Sequence, residues 1–125
     1  MGEAAAVNGE PLGPEPQVID PNQLQEYSDG DRAFEQELLE LFVEDTHRHL
    51  VQLRHAIATQ AFEAARQEAH HIKGASAHVG AIAMSKLAAT LETHAKQQTA
   101  PAPLLGQLEQ AYQQVMQQAE QWGQD

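Results

Sequence analysis

Seven histidines are spread along this chain of 125 residues, and His70 lies in surroundings suited to receiving an anion. On a helical wheel of about 100° per residue, His70 falls at the edge of the apolar stripe of its segment, so its imidazole should reach solvent. Arg66 and Lys73, four residues before and three after, fall within about 60° of it. Gly74 and Ala77 leave the helix surface beside the ring almost bare. An exposed imidazole with two cations and open space beside it could accept a negatively charged group.

Gly74 is unexpected in the middle of a predicted helix, because glycine there costs on the order of 1 kcal/mol relative to alanine. Either close helix packing or access to His70 would explain it, and the two interpretations are compatible. For Lys73 and Arg66 the alternative is an ordinary solvated charged face, and for His70 an ordinary exposed helix histidine. The spacing alone does not separate these alternatives.

Charge is distributed unevenly along the chain. Eighteen acidic and seven basic residues give a formal net charge of −11, which disfavours nucleic acid and membrane surfaces as partners. Residues 61–100 carry three acids and four bases, whereas residues 1–60 carry a net charge of −9 and residues 101–125 a net charge of −3. A partner bearing a phosphoryl group would therefore meet the least repulsion around the segment that contains His70.

Composition excludes several other kinds of site. With no cysteine, there can be no disulfide framework, thiolate zinc site or cysteine nucleophile. No two histidines are spaced four residues apart and the HExxH pattern is absent; Asp45 and His49 have that spacing but are interpreted as a surface ion pair, so no metal site is predicted. No apolar run could span a bilayer and no secretory signal is visible, so a cytoplasmic protein is expected.

The chain is long enough for one domain. Residues 1–19 hold three of the six prolines and three of the eight glycines without apolar periodicity, which predicts a flexible leader or linker before a domain at 20–125. Asp20 is a good helix N-cap and Pro21 is tolerated in the first turn, so a short helix should start there and stop near Gly30.

Four longer amphipathic segments follow, with apolar residues at steps of three and four. The second of these segments should end at Gly80, because a helix commonly ends with a left-handed residue and glycine adopts that conformation easily. Between the first and second segments, residues 58–61 offer neither a glycine nor a strong helix cap. No segment can bury its stripe alone, so the predicted fold is all-α, an antiparallel up-down-up-down four-helix bundle with a short extra N-terminal helix. The predicted stripes are Leu39, Phe42, Thr46, Leu50, Leu53 and Ile57, widened by Leu38 and Leu41; Phe62, Ala65, Ala69, Ile72, Ser76 and Val79; Met84, Leu87, Leu91 and Ala95; and Leu105, Leu108, Tyr112, Val115, Ala119 and Trp122.

The run AHHIKGASAHVGA at residues 69–81 closely resembles the histidine-containing phosphotransfer (HPt) domains of multistep two-component relays. Their pattern is A-H-x-[LI]-K-G, followed by small residues and a second glycine, and the histidine, lysine and both glycines match it in register. The resemblance covers about residues 20–120 and maps the family's phosphoacceptor to His70, with its lysine and glycine at Lys73 and Gly74.

Three positions near this run call for comment. His71 fills the variable position of the pattern, and His78 stands where a small polar residue is common. Ala61 occupies a site where the family often has a capping aspartate, which should weaken the helix start but leave the chemistry untouched.

The resemblance implies a phosphocarrier, not an enzyme. The neutral imidazole of His70 would attack the acyl phosphate of a receiver-domain aspartate and later return the phosphoryl group to another receiver. The implied partners are response-regulator receiver domains and a hybrid sensor histidine kinase, and the domain is expected to be a monomer. No cofactor is expected on this domain itself, because the magnesium ion should be held by the receiver.

A sensor-kinase fragment and a helical adaptor are the two alternative functions. The dimerisation and phosphoacceptor region of a sensor kinase also uses a helical histidine, but an acidic residue usually follows that histidine, whereas His71 follows here. A helical adaptor that no longer transfers phosphate is the second alternative. For an adaptor, the presence of His70, Lys73 and Gly74 in register is hard to explain.

Overall fold

The computed structural model describes residues 18–122, and this range contains five α-helices and no β-strand. The helices are α1 Pro21–Ser28, α2 Arg32–Ala58, α3 Phe62–His78, α4 Ile82–Lys96 and α5 Ala102–Glu120. Helices α2 to α5 pack in a ring, each against the next and α5 against α2, while α1 packs on α2. Because the connections between the four long helices are only three to five residues long, successive helices run antiparallel. The predicted four-helix bundle with a short extra helix is confirmed.

The apolar stripes meet in one core, with a few local differences from the prediction. Ile57 is only partly buried whereas Ala56 beside it is buried, and Phe62, at the first position of α3, is not part of the core cluster. Leu41 does not widen the α2 stripe, since its side chain is 64% exposed. It follows Leu39 by two residues, which turns it about 200° around the helix and away from the core. In α4, Leu87 is only partly buried and Ala88 lies fully inside. Within the described part of the chain, no helix combines the length and apolar character needed to span a bilayer.

The N-terminal segment is attached to the end of the bundle. Residues 1–17 of the predicted leader lie outside the described residues, but Ile19, also assigned to the leader, is completely buried. The Ile19 amide donates to Oε1 of Gln118 at 2.7 Å, and the Asp20 amide donates to the carbonyl of Gly80 at 2.8 Å. The core thus includes Ile19, one residue ahead of the predicted domain start at Asp20.

The turns that follow α2, α3 and α4 each contain a left-handed residue. Gly80 has φ +80°, as predicted, and a Cβ there would lie 2.5 Å from the carbonyl oxygen of Asp20. Gln60 and Gln98 take the same conformation with φ of 57° and 61° although they are not glycines. Helix α3 then starts at Ala61 without a side-chain cap, as its sequence predicted. The short turns at Gln60 and Gly80 thus connect α3 to α2 and to α4.

A buried polar cluster joins α1, α2 and the residues after α5. Glu35 is nearly inaccessible; its Oε1 accepts a hydrogen bond from Nε1 of Trp122 at 2.9 Å, and its Oε2 accepts one from the hydroxyl of Ser28. The guanidinium of Arg32 lies 5.0 Å from the centre of the Trp122 ring. Trp122 is thus a core residue, as its spacing predicted, and its indole N–H is satisfied by a carboxylate that the sequence analysis overlooked.

Candidate functional site

His70 lies in the middle of α3 with 63% of its side chain exposed. The neighbouring Ala69 and Ile72 are completely buried, and they fix the orientation of the helix so that the imidazole projects outward. A Cβ added at Gly74 would meet nothing within 4 Å, so helix packing in this structure does not require glycine there. The predicted exposure of His70 is confirmed, and close helix packing does not explain Gly74; access to the ring stays a prediction.

Glu92 is the nearest acidic partner of His70. Its side chain, on α4, is only 8% exposed, and its Oε2 lies 2.9 Å from Nδ1 of His70. The other oxygen, Oε1, lies 2.7 Å from Nζ of Lys73. One buried carboxylate therefore connects two residues that the sequence analysis selected on α3.

The protonation of Glu92 decides which nitrogen of the imidazole can react. The hydrogen bond from Lys73 holds the pKa of the Glu92 carboxyl below its usual range; burial opposes this effect, and the hydrogen bond from His70 adds to it. At neutral pH the group is a carboxylate and can only accept, so Nδ1 of His70 carries the hydrogen. Nε2 then keeps its lone pair, and within residues 18–122 no hydrogen-bond partner occupies it. A neutral ring in this orientation would present the lone pair of Nε2 to solvent.

The two predicted cations have different surroundings. Lys73 is joined to His70 through Glu92, and its backbone carbonyl also accepts a hydrogen bond from the hydroxyl of Ser85 at 3.0 Å, which links α3 to α4. Arg66 instead forms two hydrogen bonds with the carboxylate of Glu63, at 2.9 and 2.6 Å. The structure therefore brings Lys73 into the His70 site, whereas Arg66 is paired with Glu63 one turn earlier on the same helix.

His71 points to a different neighbour from His70. Its Nε2 lies 2.9 Å from Oδ2 of Asp45, and its ring stacks on that of His49 with centroids 3.7 Å apart. The spacing of Asp45 and His49 predicted an ion pair, and their closest N–O distance is 3.7 Å. Sequence periodicity could not show that His71, from another helix, joins them.

His78 also has a specific contact. Its Nδ1 lies 2.9 Å from the hydroxyl of Tyr27, so the end of α3 is linked to α1. Neither His71 nor His78 touches Glu92, and His70 is therefore the one histidine among the described residues with a buried carboxylate on one ring nitrogen.

Comparison with known proteins agrees with this geometry. The sequence model of the Hpt domain matches residues 37–120, well over half of the chain. The chain belongs to the Hpt domain family. The resemblance first carried by His70, Lys73 and Gly74 is confirmed, and the role of a histidine phosphocarrier in a phosphorelay follows from family membership.

Individual relatives extend the comparison. The phosphorelay intermediate protein rdeA of Dictyostelium discoideum is 29% identical over 85 residues, which cover 67% of this chain and 34% of that protein. The chain thus spans about a third of the length of this curated relative.

Two solved structures share the fold. Histidine-containing phosphotransfer protein B from Pseudomonas aeruginosa PAO1 superposes with a TM-score of 0.77 at 25% identity, over 83% of this chain and 92% of that one. The HPT domain of a sensor hybrid histidine kinase from Shewanella has a TM-score of 0.70 at 16% identity, with the same coverage, and supports the fold alone. Both comparisons identify the five-helix arrangement as that of Hpt bundles.

Proposed function

We propose that His70 is the phosphoacceptor of this Hpt domain. It takes a phosphoryl group from the aspartyl phosphate of one response-regulator receiver domain and passes it to the aspartate of another. The observation that carries the proposal is the contact between Nδ1 of His70 and the buried carboxylate of Glu92, which leaves Nε2 available on an exposed ring.

In the transfer step, the lone pair on Nε2 forms the N–P bond while the bond between phosphorus and the aspartyl oxygen breaks. The receiver's carboxylate leaves with that electron pair. The ring keeps its hydrogen on Nδ1 and becomes positively charged, and Glu92, 2.9 Å away, stabilises this charge. Because no proton has to be removed first, transfer to a second receiver is the same step in reverse.

The remaining site residues have supporting roles in this proposal. Lys73 keeps Glu92 ionised and positioned, and Gly74 leaves room for the receiver beside the ring. Arg66, paired with Glu63, adds only to the local charge. For the transfer itself this domain supplies only the nucleophile and needs no cofactor of its own, and the receiver supplies the magnesium ion, so the domain is not an enzyme by itself. A hybrid sensor histidine kinase as the source of phosphate, a monomeric state and a cytoplasmic location stay predictions from the sequence.

Incubation with a radiolabelled phosphorylated receiver and magnesium tests the proposal. The wild-type domain should acquire acid-labile, base-stable label, His70→Gln should acquire none, and the adjacent variant His71→Gln serves as the matched control that keeps it. Label that persists in His70→Gln and disappears in His71→Gln would move the site by one residue. A folded wild-type domain that takes no label from any receiver would favour the adaptor, and label from ATP alone would favour the kinase fragment.

A further inference from the structure

A second group of ligand-type side chains lies between α2 and α3, away from Glu92. Asp45 and His49 come from successive turns of α2 and His71 comes from α3, and one ligand atom of each lies within 4.8 Å of the others. Nε2 of His71 is 2.9 Å from Oδ2 of Asp45, and Nε2 of His49 is 3.7 Å from Oδ1. Ligands held about 2.0–2.1 Å from a tetrahedral zinc ion lie about 3.3 Å apart, between these two values. Side-chain rotations that part the stacked rings of His49 and His71 would bring one oxygen of Asp45 and one nitrogen of each ring onto one ion.

Glu68 gives this group the outer hydrogen bond found in metal sites. Its Oε1 lies 2.6 Å from Nδ1 of His49. Histidines that bind metals commonly donate their second ring N–H to a carboxylate, which fixes the tautomer and the direction of the ligating nitrogen. With Nδ1–H directed to Glu68, the lone pair of His49 is on Nε2, the nitrogen nearer Asp45.

We propose that Asp45, His49 and His71 bind a divalent transition-metal ion of the zinc type. Two imidazoles and one carboxylate suit zinc, copper or nickel, whereas magnesium prefers oxygen ligands and retains its water. His71 and Asp45 are both partly open to solvent, so water can complete the coordination. The site would join α2 to α3 and is separate from the magnesium ion that phosphoryl transfer needs.

The local charges predict how this site is tuned. Nη2 of Arg48 lies 2.6 Å from Oδ1 of Asp45, and its side chain is 74% exposed. The guanidinium competes with a metal ion for the same oxygen but can move into solvent when the ion binds. Replacing Arg48 by glutamine should therefore strengthen metal binding, which is the opposite of the effect of replacing a ligand.

Zinc binding to the full chain, measured by competition with a fluorescent zinc chelator in excess magnesium, tests the proposal. We expect one high-affinity zinc ion per chain and at least tenfold weaker binding in His49→Gln and in His71→Gln. Glu68→Gln should weaken binding about tenfold through His49, since loss of an outer-shell partner costs 10- to 100-fold. The matched controls are His55→Gln, at an exposed position of α2, and His70→Gln; both should bind zinc within twofold of wild type.

Nitrogen-15 NMR of the imidazoles provides a readout independent of affinity. Zinc should shift the Nε2 resonances of His49 and His71 while leaving those of His55 unchanged. The proposal is overturned if wild type binds zinc no more tightly than the His49→Gln/His71→Gln double variant, or if His70→Gln or His55→Gln removes binding as completely. Circular dichroism of each variant verifies that the bundle is intact.

Discussion

Glu92→Gln tests the link between the buried carboxylate and the reactivity of His70. The amide has nearly the same shape as the carboxylate and can still accept a hydrogen bond from Nδ1, but it removes the negative charge. It also presents an NH2 group near Nζ of Lys73, where Oε1 now accepts a hydrogen bond. The substitution thus removes the charge of Glu92 and its hydrogen bond from Lys73 while largely keeping the packing of the side chain.

The expected magnitude follows from the geometry of the contact. A hydrogen bond to a charged group contributes about 1.5–3 kcal/mol. Unit charges 4 Å apart interact by about 1 kcal/mol in water and about 4 kcal/mol at an effective dielectric of 20. Since 63% of the His70 side chain is exposed, solvent screens the interaction and the lower end applies. A loss of about 1.4 kcal/mol in the transition state corresponds to phosphoryl transfer about tenfold slower.

Rapid-quench transfer from a radiolabelled receiver measures this rate. Glu109→Gln is the matched control, because it removes one surface carboxylate that pairs with Arg54 on the other side of the bundle. That control should accept phosphate at the wild-type rate. Nitrogen-15 NMR of the unphosphorylated protein should show the neutral His70 ring of wild type protonated on Nδ1, with a mixture of tautomers in Glu92→Gln.

Two results would refute the reasoning. One is a folded Glu92→Gln domain that accepts phosphate as fast as wild type. The other is a wild-type spectrum in which neutral His70 carries its hydrogen on Nε2, because Nδ1 would then not donate to Glu92 and the nucleophilic nitrogen would be the other one.

Further predictions concern stability and access. Gly74→Ala should stabilise the fold by about 1 kcal/mol in urea unfolding, because the added methyl group meets no atom, yet slow transfer from a receiver; unchanged transfer would mean that this bare surface does not serve access. Gly80→Ala is the matched substitution at a left-handed turn. It should lower the free energy of unfolding by about 2 kcal/mol or more, because the methyl group would meet the carbonyl oxygen of Asp20 and alanine is strained at positive φ. An unchanged unfolding free energy would contradict the close approach of Asp20 to Gly80. Glu35→Ala should lower the free energy of unfolding by about 2–4 kcal/mol, because it leaves the indole N–H of Trp122 buried without its partner. Adding Trp122→Phe to Glu35→Ala should then lower the unfolding free energy only a little further, because the unpaired N–H is gone. Because the pKa of Glu92 is lower in the folded than in the unfolded protein, its ionised carboxylate stabilises the fold. This stabilisation is fully present above the unfolded pKa, near 4.5, and is lost as pH falls through the lower folded pKa. The difference in unfolding free energy between wild type and Glu92→Gln should therefore shrink from about pH 6 to about pH 3, and a constant difference would contradict this.

Much of the fold is predictable from local patterns. The stripe from Leu105 to Trp122 repeats at three and four without interruption, and every one of its positions is buried. Gly80 marks the end of α3 because a left-handed turn is required there. The turn at Gln60 has no such signal in the sequence, because glutamine, which does not favour the left-handed conformation, adopts it there. Periodicity also places His70 outside the core, since that depends only on its angle relative to Ala69 and Ile72.

The partners of the histidines could not be predicted in the same way. Glu92 follows Ala88 by four residues and so falls on the buried side of α4, and an acidic residue at such a position is a signal that the sequence analysis could have used. Its contact with His70 nevertheless depends on how α4 is rotated against α3. The contact of His71 with Asp45 depends likewise on α2. Single-helix periodicity contains no information about either rotation.

The two adjacent histidines show why these rotations matter for the chemistry. His70 and His71 have the same side chain on the same helix, about 100° apart. Helix α4 places a carboxylate against Nδ1 of His70, whereas α2 places one against Nε2 of His71. The first contact frees the distal nitrogen for attack, and the second occupies it. In the mechanism we propose, the motif on α3 supplies two candidate nucleophiles, and the acidic residues of the neighbouring helices favour His70 over His71.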